Sequence, residues 1–208
     1  MKRRSLLVLL GMASLTPAAE VVRRDLQFSL GLTPTDFDYT IDSPGGTFSG
    51  SDAFDYGWQT RVGGRWALTS PGWSLAPVIG GDLSYATRYG AGGEMSGLGL
   101  CVTGGVAWAI NERWSSDLEL GLGLEYASLS LDSGTDLSGS GTLFATDVRL
   151  RVLRLLDRTW SIGVEAGWQQ SSGTIAASQG RDVDMDIAGW TAGFLIVWRG
   201  SMRPAALE

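Results

Sequence analysis

Residues 117–126, DLELGLGLEY, alternate apolar and polar side chains without a break. A two-residue period belongs to an extended strand, whose successive side chains point to opposite faces. Leu118, Leu120, Leu122, Leu124 and Tyr126 therefore share one face, and Asp117, Glu119, Gly121, Gly123 and Glu125 share the other. In a soluble barrel or sandwich the leucines turn to a core and the carboxylates to water. In a membrane barrel the leucines turn to lipid and the carboxylates to a polar lumen.

The same period recurs in eight segments, at residues 25–40, 54–68, 73–89, 97–110, 114–131, 142–156, 160–175 and 186–199. Short turns at 69–72, 111–113 and 157–159 alternate with longer links at 41–53, 90–96, 132–141 and 176–185, built from Gly, Ser, Asp and Thr. This layout predicts an all-β fold, an eight-stranded antiparallel up-and-down transmembrane β-barrel, because closure removes the edges an open sheet would expose. Strands of about 13 to 17 residues exceed the roughly 9 to 11 that cross a bilayer. They are expected to project beyond it on the long-link side.

Lys2, Arg3 and Arg4 precede an apolar run from Leu6 to Leu15 and then Thr16, Pro17, Ala18 and Ala19. That order is the pattern of a secretory signal peptide, and the run is too short for a spanning helix. The expected organisation is a signal peptide at 1–19, a barrel at 20–199 and a short tail at 200–208, whose closing Leu207 and Glu208 read as a cloning remnant. Removing the leader leaves 13 Arg against 22 acidic residues, a net charge of −9. No nucleic-acid partner is expected, since phosphates demand a basic face.

The tryptophans favour the apolar-out arrangement. Trp66, Trp73, Trp108, Trp114, Trp160 and Trp198 lie beside short turns or at the end of the last strand, with Trp73 and Trp114 set apart in parity. Aromatic residues at one level form the girdle of a membrane interface. The polar face carries Arg61, Arg65, Arg88, Arg149 and Arg151 with Asp82, Asp117, Glu119, Glu125, Asp147 and Glu165. Eight strands enclose just enough room for side chains to fill, so these charges are expected to interlock as a plug.

With these features the chain resembles the small eight-stranded outer-membrane barrels of the OmpA and OmpX type, over residues 25–198. The likeness is sharpest in the last strand, where Trp190, Ala192, Phe194, Ile196 and Trp198 are similar to the alternating, aromatic-ended signal read by the barrel assembly machinery. The resemblance implies the outer membrane of a Gram-negative bacterium. As partners it implies outer-membrane lipids and lipopolysaccharide, with the assembly machinery acting during biogenesis. The tail departs from the pattern and is too short for a peptidoglycan-binding domain.

The chain contains no histidine. Ser-His and Cys-His catalysis lose their general base, and histidine metal sites are excluded. No catalytic residue, cofactor or metal is expected. Glu119, Glu125 and Glu165 suit acid/base chemistry in principle, but near-balanced charge on that face favours ion pairs with the arginines. Asp182, Asp184 and Asp186, and likewise Asp36, Asp38 and Asp42, offer oxygen ligands for Ca²⁺ or Mg²⁺, yet neither stretch completes a calcium loop and both read as solvated acidic loops. Cys101 is expected to be an inert small side chain on the lumen face. Gly121-Leu122-Gly123 lacks the strand-to-helix setting of a phosphate loop.

The function expected from these residues is a non-enzymatic outer-membrane barrel that serves envelope integrity or surface interaction through its loops. One alternative is a narrow pore or lateral path for small or hydrophobic solutes, suggested by glycines on the lumen face (Gly57, Gly63, Gly99, Gly105, Gly121, Gly123, Gly163, Gly167). The other is a secreted soluble barrel holding an apolar ligand.

Overall fold

Strand follows the two-residue period along almost the whole described chain. The structure, a computed structural model, describes residues 20–69, 75–90, 92–131 and 137–201. Its strands are β1 (Glu20–Leu32), β2 (Asp36–Ser43), β3 (Gly46–Ala53), β4 (Tyr56–Thr69), β5 (Leu75–Gly90), β6 (Gly93–Ala109), β7 (Trp114–Leu131), β8 (Leu137–Leu155), β9 (Trp160–Ala177) and β10 (Arg181–Ser201). All pairings are antiparallel. Eight strands, β1 and β4 to β10, form a ring closed by β1 against β10, while the β2–β3 hairpin joins the far part of β10. The fold is an eight-stranded outer-membrane-type barrel with an added hairpin.

The end bearing the short turns is called lower. Its turns are set by asparagine and aspartate, which mimic a backbone turn with the side chain. Asn111 Oδ1 accepts from the N–H groups of Arg113 and Trp114 at 2.9 and 3.0 Å, and Asp157 Oδ1 accepts from those of Thr159 and Trp160 at 2.7 and 2.8 Å. The turn expected at 69–72 lies, beyond Thr69, outside the described residues, as do the signal peptide and residues 202–208. β10 runs two residues into the expected tail, to Ser201.

The upper end differs from the sequence expectation. The segment expected as one strand at 25–40 breaks at Thr33–Thr35, where Pro34 has no N–H to give a ladder. The expected link at 41–53 is itself strand, turning tightly at Pro44 and Gly45, with Gly46 at φ +136°. β5 and β6 run to Gly90 and Gly93, and only a short 3₁₀ turn, Ser178–Gly180, separates β9 from β10. Residues 132–136 of one expected link lie outside the described residues, and among those described Thr47, Ser49, Ser138, Ser140, Asp182 and Asp184, which suggested loops, are outward residues of continuing strands.

Along those strands the alternation persists while its chemistry reverses. On β7 the outward series Leu118, Leu120, Leu122, Leu124, Tyr126 gives way to Ser128 and Ser130, and the inward series Asp117, Glu119, Gly121, Gly123, Glu125 gives way to Ala127 and Leu129. β10 does the same in the other direction: Trp198 to Trp190 outward is followed by Asp186, Asp184 and Asp182, while Ile187, Met185 and Val183 turn inward. The lower half thus exposes Leu26, Phe28, Val62, Leu100, Val102, Leu122, Leu150, Val164 and Phe194 around the ring, the last at 75%. A continuous apolar belt of this extent is a lipid-facing surface and excludes the secreted soluble barrel. Among the described residues no helix is long and apolar enough to cross a membrane; the strands do so.

The upper half is packed like a soluble protein. Phe37, Phe54, Met95, Ala127, Leu129, Leu137, Leu143, Ile175, Val183, Met185 and Ile187 form one buried apolar cluster. Large side chains face glycine on the neighbouring strand, with Leu129 opposite Gly139, Leu143 opposite Gly173 and Ile175 opposite Gly141. Alternating large and small residues is how a narrow barrel fills its taper.

Candidate functional site

The polar face of the lower half converges on the barrel axis. Arg65 on β4 reaches across to β7, with Nη1 at 2.6 Å from Asp117 and 2.8 Å from Glu119, while Nη2 lies 3.2 Å from Asp25 of β1. Arg151 on β8 lies 2.8 Å from Glu119 and 3.1 Å from Glu165, and donates to Gln27 Oε1 at 3.1 Å. Arg61 stands 3.6 Å from Glu165 and donates to Gln169. Arg149 joins Asp82 of β5 and Asp147 of its own strand, each at 2.9 Å. Of the eleven charged residues placed on the lumen face from sequence, these nine face the interior and pair across strands far apart in the chain; Glu125 and Arg88 form a separate pair above them.

One further arginine marks the top of this layer. Arg88 is wholly buried; it pairs with Glu125 at 3.3 Å and donates through Nε to the carbonyl of Pro34 at 2.9 Å and through Nη2 to Thr33 Oγ1. It fastens the β1–β2 break to the lumen. Ser171 donates its hydroxyl to the other Glu125 oxygen at 3.0 Å. Asp25, Gln27 and Ser171 were missed from sequence as network members, although each has the parity of the lumen face. Asp25 opens its segment, where a one-residue boundary shift hides it. Glu119 and Glu165 share Arg151, whereas Glu125 is held separately by Arg88.

The ionic layer is enclosed above and below. The apolar cluster caps it, and beneath it Ala67, Val78 and Ala107 on one side and Leu153, Leu195 and Val197 on the other form a small apolar floor. Glycines on the lumen face mark close approach rather than vacancy. A Cβ built at Gly121 would stand 2.6 to 2.8 Å from the Asp147 carboxyl group, and one at Gly63 2.7 Å from Asp82. At Gly105, Gly123, Gly163 and Gly167 it would meet a carbonyl oxygen of the adjacent strand at 2.1 to 2.3 Å. The space these glycines suggested is occupied by backbone and by charged side chains lying flat over them. Cys101 is buried beside this layer, its Sγ 3.4 Å from the Val102 carbonyl.

Outside, two aromatic levels bracket the belt. Trp66, Trp114, Trp160 and Trp198 are exposed at the lower end, with Trp108 half-buried, and Trp73 lies outside the described residues. Trp114, set apart by parity in the sequence, stands on the outward face with Leu118, and Arg154 lies over its ring at 5.8 Å. The upper level was not recognised in the sequence. It contains Trp58 against Tyr85 and Trp168 against Trp190, ring centroids 5.9 and 5.5 Å apart, with Tyr56 beside Tyr89. The signal was present: Trp58 and Trp66, Trp160 and Trp168, and Trp190 and Trp198 are each eight positions apart. At ~3.3 Å per residue that is about 26 Å along a strand, or about 20 Å of height at the usual strand tilt of ~40°, a little under the ~25 Å of an outer-membrane apolar band.

Above that level the two aspartate stretches, distant in sequence, lie side by side. In the register of β10 with β2, Asp186 faces Asp38, Asp184 faces Thr40 and Asp182 faces Asp42. Asp36, at the start of β2, is exposed one position from this ladder and is not in it. Among the described residues no group of three or more side chains is arranged to hold a metal ion.

No family model matches the chain, and a search of the curated proteins found no match. Solved structures do match in shape. OprG, an outer membrane protein of Pseudomonas aeruginosa, superposes with a TM-score of 0.58 at 10% identity, covering 89% of this chain and 99% of its own. The outer membrane protease OmpT of Escherichia coli gives 0.48 at 8% identity over 90% and 100% of the two chains, and Neisserial surface protein A gives 0.45 at 11% identity over 83% and 96%. At these identities the likeness is one of fold.

Proposed function

We propose that this chain is a sealed, non-enzymatic β-barrel of the bacterial outer membrane, exported by its N-terminal leader. Its lower half anchors it in lipid, and its upper half presents a rigid β surface for envelope integrity or surface interaction. The observation that carries the proposal is the apolar cap: Met95, Leu129, Leu143, Ile175 and Ile187 are each at most 1% exposed, directly above an ionic layer that is itself buried. Ions would have to cross both layers, and a path through packed hydrocarbon offers no replacement for their hydration. The carboxylates suited to acid/base chemistry are each tied to arginine, and the chain has no histidine to substitute for them. Lipid and lipopolysaccharide contact the belt between the aromatic levels, and Trp190, Phe194, Ile196 and Trp198 on β10 carry the signal for assembly.

Planar-bilayer recording tests the seal. Folded protein, verified by heat-modifiable gel migration, is expected to give no steady unitary current. Reproducible unitary conductance that changes on Glu119→Gln or Arg149→Gln would establish the narrow pore in its place.

A further inference from the structure

β3 hydrogen-bonds to β2 along one side, and no strand among the described residues pairs its other side. An unpaired edge offers a row of N–H and C=O groups to any extended chain, and proteins normally blunt such edges with Pro, Lys or a bulge. β3 reads GTFSGSDA, with neither Pro nor Lys, and its single charge, Asp52, stands at the end nearest the barrel wall. Every residue of it is exposed or half-buried. The edge is open on the part of the molecule that projects above the membrane belt.

The two faces of β3 differ in a way that specifies what would sit beside it. On one face Thr47, Ser49 and Ser51 lie abreast of Asp42, Thr40 and Asp38, and beyond those of Asp182, Asp184 and Asp186. Like charges directly opposite in a sheet destabilise it, and here Asp38 faces Asp186 and Asp42 faces Asp182. None of these five forms an ion pair with an arginine among the described residues. Their partners are neutral: Ser51 donates to Asp38 at 2.5 Å, Thr47 to Asp42 at 2.6 Å, Thr174 to Asp184 at 2.5 Å and Gln170 to Asp186 at 3.0 Å. On the other face Phe48 is 62% exposed, opposite Ile41 at the border of the apolar cap.

We propose that β3 is a docking edge for an extended polypeptide segment in which basic and apolar residues alternate, captured as an added strand. This rests on the surface role proposed above and names its partner class. Strands lie ~4.8 Å apart, so Asp38 and Asp42 stand about 10 Å from the incoming backbone. Long basic side chains laid over the small Ser49 and Ser51 reach that distance. The alternate residues turn to the other face and cover Phe48. A second copy of this chain is disfavoured, because pairing β3 with β3 would bring two aspartate ladders together. Backbone pairing supplies affinity and the alternating side chains supply selectivity, as in other cases of strand addition.

The test uses the folded full-length chain in lipid nanodiscs and a fluorescent ten-residue peptide of alternating arginine and valine. Binding is followed by anisotropy, with photo-crosslinking to locate the contact. The arginine–valine peptide is expected to bind and to crosslink within β3. Its twin N-methylated at every backbone amide, equal in charge and unable to pair, is expected to bind at least tenfold more weakly, and a glutamate–valine peptide not at all. Replacing the five aspartates together (D38N, D42N, D182N, D184N, D186N) is expected to lower affinity at least tenfold. Should that variant not fold, Ser49→Lys with Ser51→Lys blunts the same edge and is expected to do likewise. Equal binding of the methylated twin, unchanged binding to the variants, or no binding of the arginine–valine peptide each overturns the proposal. Conductance is read separately, so a silent barrel that ignores the peptide loses only the docking edge, and a conducting barrel that binds it loses only the seal.

Discussion

The lower and upper halves of the barrel are made from the same strands and are opposite in chemistry. Below, leucines point out and ion pairs fill the lumen. Above, Ser128, Ser130, Asp182 and Asp184 point out, and Leu129, Leu143, Ile175 and Met185 fill it. β7 changes from one regime to the other between Tyr126 and Ala127 with no bulge in its pairing. Backbone geometry is thus indifferent to which face is apolar, and the surrounding medium decides. The comparison also separates two ways to fill a narrow interior. Ion pairs bind specific partners across the ring, while hydrocarbon packs by shape.

Removing a hub of the ionic half should have the largest effect. Arg65→Met leaves Asp25, Asp117 and Glu119 buried around the site without that cation, and breaking a buried pair in this way costs ~3–5 kcal/mol. The urea midpoint of the heat-modifiable gel shift is expected to fall sharply, or folding to fail. An unchanged midpoint would show that the ionic layer contributes nothing to stability. Next, Leu143→Ala in the upper cap should cost ~2–5 kcal/mol, whereas Leu122→Ala on the lipid-facing surface, creating no cavity, should cost well under half of that. Equal losses would erase the distinction between the halves.

Arginine scanning sharpens the boundary. Leu122→Arg at mid-belt should cost ~2–4 kcal/mol, and Ser130→Arg, outward on the same strand in the upper half, should stay within ~0.5 kcal/mol of the parent. Equilibrium unfolding from lipid vesicles reads both, and a large penalty at Ser130 would place that level inside the membrane. A small effect of the opposite sign concerns the aspartate ladder. Asp186→Asn relieves the charge opposed to Asp38 and should stabilise by ~0.2–1 kcal/mol at low salt, with the gain shrinking as salt screens the pair.

Parity alone sorted Glu119, Arg149 and Leu122 onto their faces, because period two survives any uncertainty about strand ends. It did not reveal that Arg65 meets Asp25 and Asp117, since that requires the register and closure of the ring. The upper half was lost to a compositional habit. Ser, Thr, Gly and Asp read as loop when lipid is assumed to lie outside every strand, yet Val183 and Met185, set between Asp182, Asp184 and Asp186, repeat the same period in reverse. The break at Pro34 was legible as a missing donor, but the return of the chain through β2 and β3 depends on a free stretch of β10 beyond β1, which no local pattern announces.

The eight-position spacing of tryptophans on β4, β9 and β10 has a consequence for the company this protein keeps. Rings anchored at both interfaces of a rigid closed cylinder cannot slide apart, so hydrophobic mismatch must be absorbed by the lipid. In bilayers of longer acyl chains the barrel is expected to draw a thinned annulus around itself, at a cost of a fraction of a kcal/mol per Å. Short-chain lipids would gather there, and folding yield across a series of chain lengths should peak where the bilayer fits the two rings without deformation.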